Sequence, residues 1–268
     1  LHADDLAALR GDGVFETLLV RDGAACLLDA HLRRLARSAE LMDLPAPNLD
    51  DWCRAVDEAV QQWAGTGEGA LRMIYSRGRE TGSAPTAYVM LTPLPERIAA
   101  ARREGVAVVT LDRGLSAQGL ELPWLLAGAK TLSYAINMAA LRHAAGRGAG
   151  DVVFVSSDGN VLEGPRSTVV IVTNSDAESP CLLTPPPWYP ILRGTTQQAL
   201  FEVARSKGYD CDYRALRIAD LHAAHGVWLV SSMTLAARVH TLDGRPLPRP
   251  AMAAEFAALI DAAVTSDR

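Results

Sequence analysis

Lysine is nearly absent from this chain. Of its 26 basic residues among 268, 24 are arginine, and only Lys130 and Lys207 are lysine. Chemistry that needs a side-chain primary amine therefore has two candidates. Cysteine is also sparse. Cys26, Cys53, Cys181 and Cys211 lie far apart and make no CxxC pair, so they read as reduced, structural thiols of a cytoplasmic protein. No uninterrupted apolar run reaches the ~18 residues that a spanning helix needs. The net charge is −5 with the arginines dispersed, which argues against nucleic-acid binding, where a basic stripe is expected. There is no GxxxxGK(S/T) phosphate loop, no GxSxG around a serine and no HExxH. His222 and His225 are three apart, too small a set for a zinc site. No metal is expected.

What is present is a globular composition, 49% hydrophobic and 21% charged, with length for one large domain or two ordinary ones. In the first third, Val14 to Val20 reads as a strand, with a turn at Arg21 to Gly23. The apolar set Leu32, Leu35, Ala36, Ala39 and Met42 recurs at helical spacing between Asp29, a plausible N-cap, and Leu44. A second helix covers residues 50–63, and strands follow at 70–77, 86–92 and 106–111. Gly65-Thr66-Gly67-Glu68-Gly69 precedes a strand and reads as a connection. Beyond it a helix is expected from Thr131 to Gly146 or Gly148, and strands at 151–156, 161–162, 168–173 and 227–231. Further helices cover 195–207 and 251–264, and a hairpin turns at Asp243-Gly244. The mixture predicts an α+β fold in two domains, residues 1–111 and 123–268, joined by a linker at 112–122. The first residues, LHADD, are neither an initiator Met nor a signal peptide. The expectation is a start inside a longer chain, with an early strand missing.

The two lysines sit in opposite surroundings. Lys207 precedes Gly208 at the end of an amphipathic helix, where the dipole favours any cation. Lys130 follows the small and apolar residues of "LLAGAK" and is expected at a helix start. Dipole and burial would both disfavour its charge there and leave more free amine, as a Schiff-base lysine requires. The alternative is a lysine snorkelling out of a helix start.

"AKTLSYAINMAALRHA" is followed, 33 residues after Lys130, by Glu163 in "DGNVLEGPRSTVVIV". Together they resemble the class IV aminotransferases, the fold type IV pyridoxal-phosphate enzymes. "GDGVFET" (11–17), "HLRRL" (31–35), "ILRGTTQQAL" (191–200) and "LVSSMTLAARVHTLDG" (229–244) extend the resemblance over nearly the whole chain. The resemblance implies pyridoxal 5′-phosphate as cofactor. Lys130 would carry it and shuttle protons, and Glu163 would bind the pyridine nitrogen. Arg34 would fork onto the phosphate, with Arg33 beside it solvated. Thr195 and Thr196, opening a helix, would meet the phosphate with backbone N–H groups. Ser232, with Ser231 beside it, would close that site, and Tyr134 would contact the phenolic oxygen. Blander roles are an exposed hairpin residue for Glu163, an N-cap for Thr195, a strand-end hydrogen bond for Ser232 and packing for Tyr134.

For substrate, strand alternation puts Arg72, Ile74 and Ser76 on one face. Arg72 matches a substrate-facing basic position of relatives, and Arg77 and Arg79 are further carboxylate candidates. Surface ion pairs are the alternative for each. Thr168, Arg166 and Arg193 depart from residues common in the family, so substrate identity does not transfer. The N-terminal motifs resemble most the 4-amino-4-deoxychorismate lyases, which form 4-aminobenzoate and pyruvate on the way to folate. Lys130 would remove the ring proton, and Thr17 would protonate the leaving enol. A transaminase of D-amino or branched-chain amino acids, or a dual activity, is the second reading. A binding protein that has lost the cofactor is the third, disfavoured by Lys130 and Glu163. Family members are usually homodimers, and the same is expected here, with a small-molecule substrate and no membrane or nucleic-acid partner.

Overall fold

The computed structural model describes residues 2–65, 67–82, 84–117, 122–174 and 180–265. Thr66 of the glycine-rich stretch and residues 118–121 of the expected linker lie outside the described residues. Contacts divide the chain into two compact units, Leu1–Pro95 with Leu122–Ala135, and Glu96–Glu121 with Ile136–Ser266.

The first unit contains α1 (Leu6–Arg10), β1 (Gly13–Arg21), β2 (Ala24–Ala25), α2 (Leu28–Leu41), α3 (Leu49–Gln61), β3 (Gly69–Ser76) and β4 (Thr86–Pro93). Its sheet runs β2-β1-β3-β4, all antiparallel. Strand alternation turns Val14, Leu18 and Val20 inward, where they join Leu32, Leu35 and Ala39 of α2, Val56 of α3 and Leu71 and Met73 of β3. Asn48 caps α3 through Oδ1, which accepts from the N–H groups of Asp50 and Asp51. Asp29 does not cap α2. Leu27, in the left-handed region at φ 55°, occupies that position without a side-chain bond, and Asp29 sits inside the first turn. The helix ends at Leu41, short of Leu44, because Asp43 turns the chain at φ 50°.

The second unit contains α4 (Glu96–Glu104), β5 (Val106–Asp112), α5 (Ala135–Gly146), β6 (Asp151–Val155), β7 (Thr168–Asn174), β8 (Pro180–Thr184), α6 (Thr195–Ser206), β9 (Asp210–Tyr213), α7 (Ile218–Ala223), β10 (Gly226–Ser231), β11 (Leu235–Leu242), β12 (Arg245–Pro246) and α8 (Ala253–Val264). Its sheet runs β6-β5-β11-β10-β7-β8-β9, with β12 paired to β11. Val108, Val153, Val169, Ile171, Leu229 and Val239 make one continuous core. The hairpin turn holds at Asp243-Gly244, both with positive φ.

Three expectations need correction. β5, placed by sequence in the first domain, pairs in parallel with β6 and β11 of the second sheet. Residues 123–135, placed in the second domain, pack with the first unit, where Thr131 bridges to Val14. Contacts therefore cut the chain at Pro95 and again near Leu122 and Ala135, not once at 112–122. Val161 makes an isolated bridge to Val155 and no separate strand.

Candidate active site

In the first unit the site grows from one edge of β1. β2 covers only Val20 and Arg21 of that edge. The backbone of residues 130–132 takes the other end. The Phe15 N–H donates to the Lys130 carbonyl at 3.0 Å, and the Leu132 N–H donates to the Gly13 carbonyl at 2.8 Å. Lys130 thus stands opposite Phe15 and shares its face of the sheet. Its Nζ lies 4.3 Å from the centroid of the Phe15 ring and 5.5 Å from that of Tyr134. These two rings meet edge to face at 5.3 Å, a pair that walls the amine and favours a cation over its π-faces. Lys130 is not at a helix start. α5 begins at Ala135, so the helix-dipole part of the expectation does not apply. Tyr134 lies with Lys130 in the irregular segment before α5.

The register continues the face. Ile74 pairs with Phe15, and Arg72 pairs with Thr17. Lys130, Phe15, Thr17 and Arg72 therefore share one side of the sheet. Arg72 Nη1 also donates to Thr92 Oγ1 at 3.4 Å. Arg79 is not brought to this face. Its Nε donates to both oxygens of Asp4 at 3.0 Å, with the arginine side chain 47% exposed. Arg77 is committed to Asp12 and to the carbonyls of Met42 and Asp43. A cavity of about 360 Å³ lined by Ala24, Leu28, Asp29, Asp57 and Gln61 lies elsewhere on this unit and contains none of the candidate residues.

The opposite face of β1 holds what sequence reasoning missed. Glu16 is fully buried. Arg34 donates to it twice, Nε to Oε1 at 2.6 Å and Nη2 to Oε2 at 2.7 Å. His31 Nδ1 lies 2.7 Å from Oε2. Burial alone would raise the Glu16 pKa, but the charge and hydrogen bonds of Arg34 and His31 hold it far below the carboxylate range. His31 is shifted down, by burial first, then against the pull of Glu16 and with the repulsion of Arg34 and Lys130. We read His31 as a neutral ring donating Nδ1–H to an ionised Glu16. Ser38, on the same stripe of α2, accepts the Lys130 N–H at 3.1 Å. Thus α2 aligns His31, Arg34 and Ser38 at i, i+3 and i+7. The legible signal was Glu16 itself. It is a carboxylate in phase with Val14 and Leu18, and a strand's buried face tolerates one only beside a cation.

In the second unit, Glu163 follows the bridge at Val161, and its Oε2 accepts the Leu192 N–H at 3.0 Å. α6 opens at Thr195, as expected from sequence, with Gly194 as a cap that offers no side chain. Thr195 and Thr196 are buried. The Thr196 hydroxyl oxygen is buried without a hydrogen-bond partner among the described residues. A Cβ on Gly194 would stand 2.3 Å from Thr168 Oγ1, so only glycine lets the loop approach β7. An orphaned hydroxyl at a helix N-terminus suits an anion such as phosphate. Ser231 Oγ is turned into the loop before β11, accepting from the Thr234 N–H at 3.1 Å and meeting its hydroxyl at 2.6 Å. Ser232 follows it in that turn.

A family model for amino-transferase class IV matches residues 13–242. The chain belongs to the class IV aminotransferases. It is 72% identical over 273 residues to a bifunctional aminodeoxychorismate lyase / D-amino acid transaminase of Mycobacterium tuberculosis, covering 100% of this chain and 94% of that protein. Among solved structures it matches the PLP-bound form of a hypothetical aminotransferase from Mycobacterium tuberculosis. The TM-score there is 0.97 and the identity 73%, over 100% of this chain and 94% of that one. A fold IV transaminase from Curtobacterium pusillum matches at TM-score 0.92 and 42% identity, over 100% of this chain and 90% of that one. The two-domain α+β fold of this family is thus the fold of the chain. Each unit by itself offers chemistry that suits the cofactor of this family: the first an amine against aromatic walls, the second a helix start with an orphaned hydroxyl.

Proposed function

We propose that this class IV enzyme uses pyridoxal 5′-phosphate to convert 4-amino-4-deoxychorismate to 4-aminobenzoate and pyruvate, and also transfers amino groups from D-amino acids. The observation that carries it is the shared face of Lys130, Thr17 and Arg72, in a chain 72% identical to a relative named for both activities. When bound, the cofactor supplies an aldehyde for amine exchange and an electron sink. Lys130 Nζ would hold it and, once released, would be the base for the ring proton at the amine-bearing carbon of the substrate. Glu163 would bind the pyridine nitrogen and keep it protonated. In the first unit Arg34 would pair with the cofactor's phosphate, and in the second the N–H groups of Thr195 and Thr196, and Ser232, would serve the same group. Tyr134 walls the amine and would contact the cofactor's phenolic oxygen. Thr17 Oγ1 delivers the proton that turns the leaving enol into pyruvate. Arg72 pairs with a substrate carboxylate. We leave Arg79 out of this set, because Asp4 engages it at the surface.

The reading includes a homodimer in the cytoplasm. The four cysteines form no disulfide, which supports a reducing compartment, and no described helix is long and apolar enough to cross a membrane. Incubation of the purified enzyme with 4-amino-4-deoxychorismate and no keto acid tests the lyase. Equal amounts of 4-aminobenzoate and pyruvate are expected. No product, with D-alanine to 2-oxoglutarate transfer intact, would overturn the lyase and leave the transaminase.

A further inference from the structure

Two of the positions at which this sequence departs from its family, Thr168 and Arg193, line one cavity of the second unit. Its volume is about 140 Å³, close to the ~150 Å³ that takes a benzene-sized guest. It lies on the side of the α6 start that carries Gly194 and Gln197. Thr195 and Thr196 are not among the residues that line it.

The wall is of two kinds. Pro185 and Ile191 are buried apolar surface. Thr168 and Gln197 are buried polar side chains, 6% and 3% exposed. No described group pairs with the Thr168 hydroxyl, which lies against Gly194. The Gln197 amide donates one long hydrogen bond, 3.5 Å to the Tyr213 hydroxyl. Tyr213 lines the same cavity, and its hydroxyl accepts that bond, so its own proton is left to donate. Buried donors with poor partners are costly to keep, and a bound acceptor relieves them. Arg193 adds a positive charge, and no acidic residue is among the described residues of the lining. The charge excludes a cationic guest. Donors at one end and apolar carbon at the other suit a guest of the same two kinds.

We propose that this cavity is a second ligand site, which takes a short-chain monocarboxylate. The carboxylate accepts from the Thr168 hydroxyl, the Gln197 amide and the Tyr213 hydroxyl. Arg193 supplies the favourable charge, and the carbon chain packs on Pro185 and Ile191. None of these residues is assigned to the reaction proposed above.

The test is a titration of the holoenzyme by saturation-transfer NMR with three probes. Propionate is the carboxylate, propionamide its neutral isostere, and inorganic phosphate an anion without a carbon chain. A saturable propionate site is expected that survives in Arg72→Ala, because Arg72 belongs to the substrate face of the first unit. Propionamide should bind there at least about tenfold more weakly, as loss of charge-assisted hydrogen bonds predicts. Gln197→Glu puts a carboxylate into the cavity, at the first turn of α6, where the helix dipole favours it. It should weaken propionate at least about tenfold at saturating cofactor. Should that variant fail to fold by thermal melt, Thr168→Val, which removes the hydroxyl and keeps the shape, is judged by the same comparison. Any one of three results refutes the site: no propionate binding beyond what Arg72→Ala removes, propionamide binding as tightly, or a folded variant that binds propionate like wild type. Phosphate that binds as tightly as propionate and displaces it would overturn the carboxylate assignment.

Discussion

Two groups of charges on this chain are built from the same residue types and behave in opposite ways. At β1, Glu16 meets Arg34 and His31 in a buried cluster with Lys130 nearby. At the rim, Asp4 meets Arg79 across the surface, and Lys207 closes α6 in solvent. The pairing chemistry is shared and the burial is not. Removing one partner of a buried pair strands a charge in a poor solvent, whereas a surface partner is replaced by water. Charge pairs therefore weigh on stability in this chain only where the fold has already excluded water.

The largest way to break the comparison is at the amines. Lys130→Ala is expected to abolish both lyase and transaminase turnover and the visible absorbance of the holoenzyme, while Lys207→Ala leaves all three unchanged. A Lys130→Ala protein with the same borohydride-reducible band would refute the central assignment. Next comes stability. Glu16→Ala should cost about 3–5 kcal/mol in urea unfolding, the usual loss when a buried pair is broken. Asp4→Ala should leave the urea midpoint within error, and an equal loss in both would erase the distinction. Within the site face, Arg72→Ala should raise KM for 4-amino-4-deoxychorismate about tenfold, as loss of one charged hydrogen bond predicts. Arg79→Ala should not raise it.

A subtler contrast lies in pH. Glu16 and His31 both have folded pKa values below their unfolded ones, so the unfolded chain binds more protons and stability falls as pH falls. For His31 the loss begins below about 6.5, the ordinary imidazole value, and for Glu16 below about 4.3. Urea midpoints between pH 7 and pH 5 should decline in the wild type and flatten in His31→Asn. No flattening would mean that folding does not lower the His31 pKa.

Much of this was legible in the residues. The period of Leu32, Leu35 and Ala39 located α2, and the Gly208 stop located the end of α6. Scarcity of lysine, together with the spacing to Glu163, singled out Lys130. The helix expected at Thr131 was misread because "TLSYAINMAALRHA" has helical composition throughout. Backbone pairing with Gly13 and Phe15 outcompetes the first turn, since it satisfies groups at the edge of β1 that would otherwise lie open. The cut between the units was misread for the same kind of reason. Partner strands lie more than a hundred residues away, as Val239 does from Val106, and local periodicity carries no information about them.

The sequence by itself determined the family and singled out one candidate amine, because composition and motif spacing are properties of the chain in one dimension. The tertiary structure alone decided which charges share a face. It put Arg72 and Thr17 on the side of Lys130, sent Arg79 to Asp4, and turned Glu16 inward to Arg34. Those outcomes depend on cross-strand register and on the exclusion of water, and neither exists until distant segments have met.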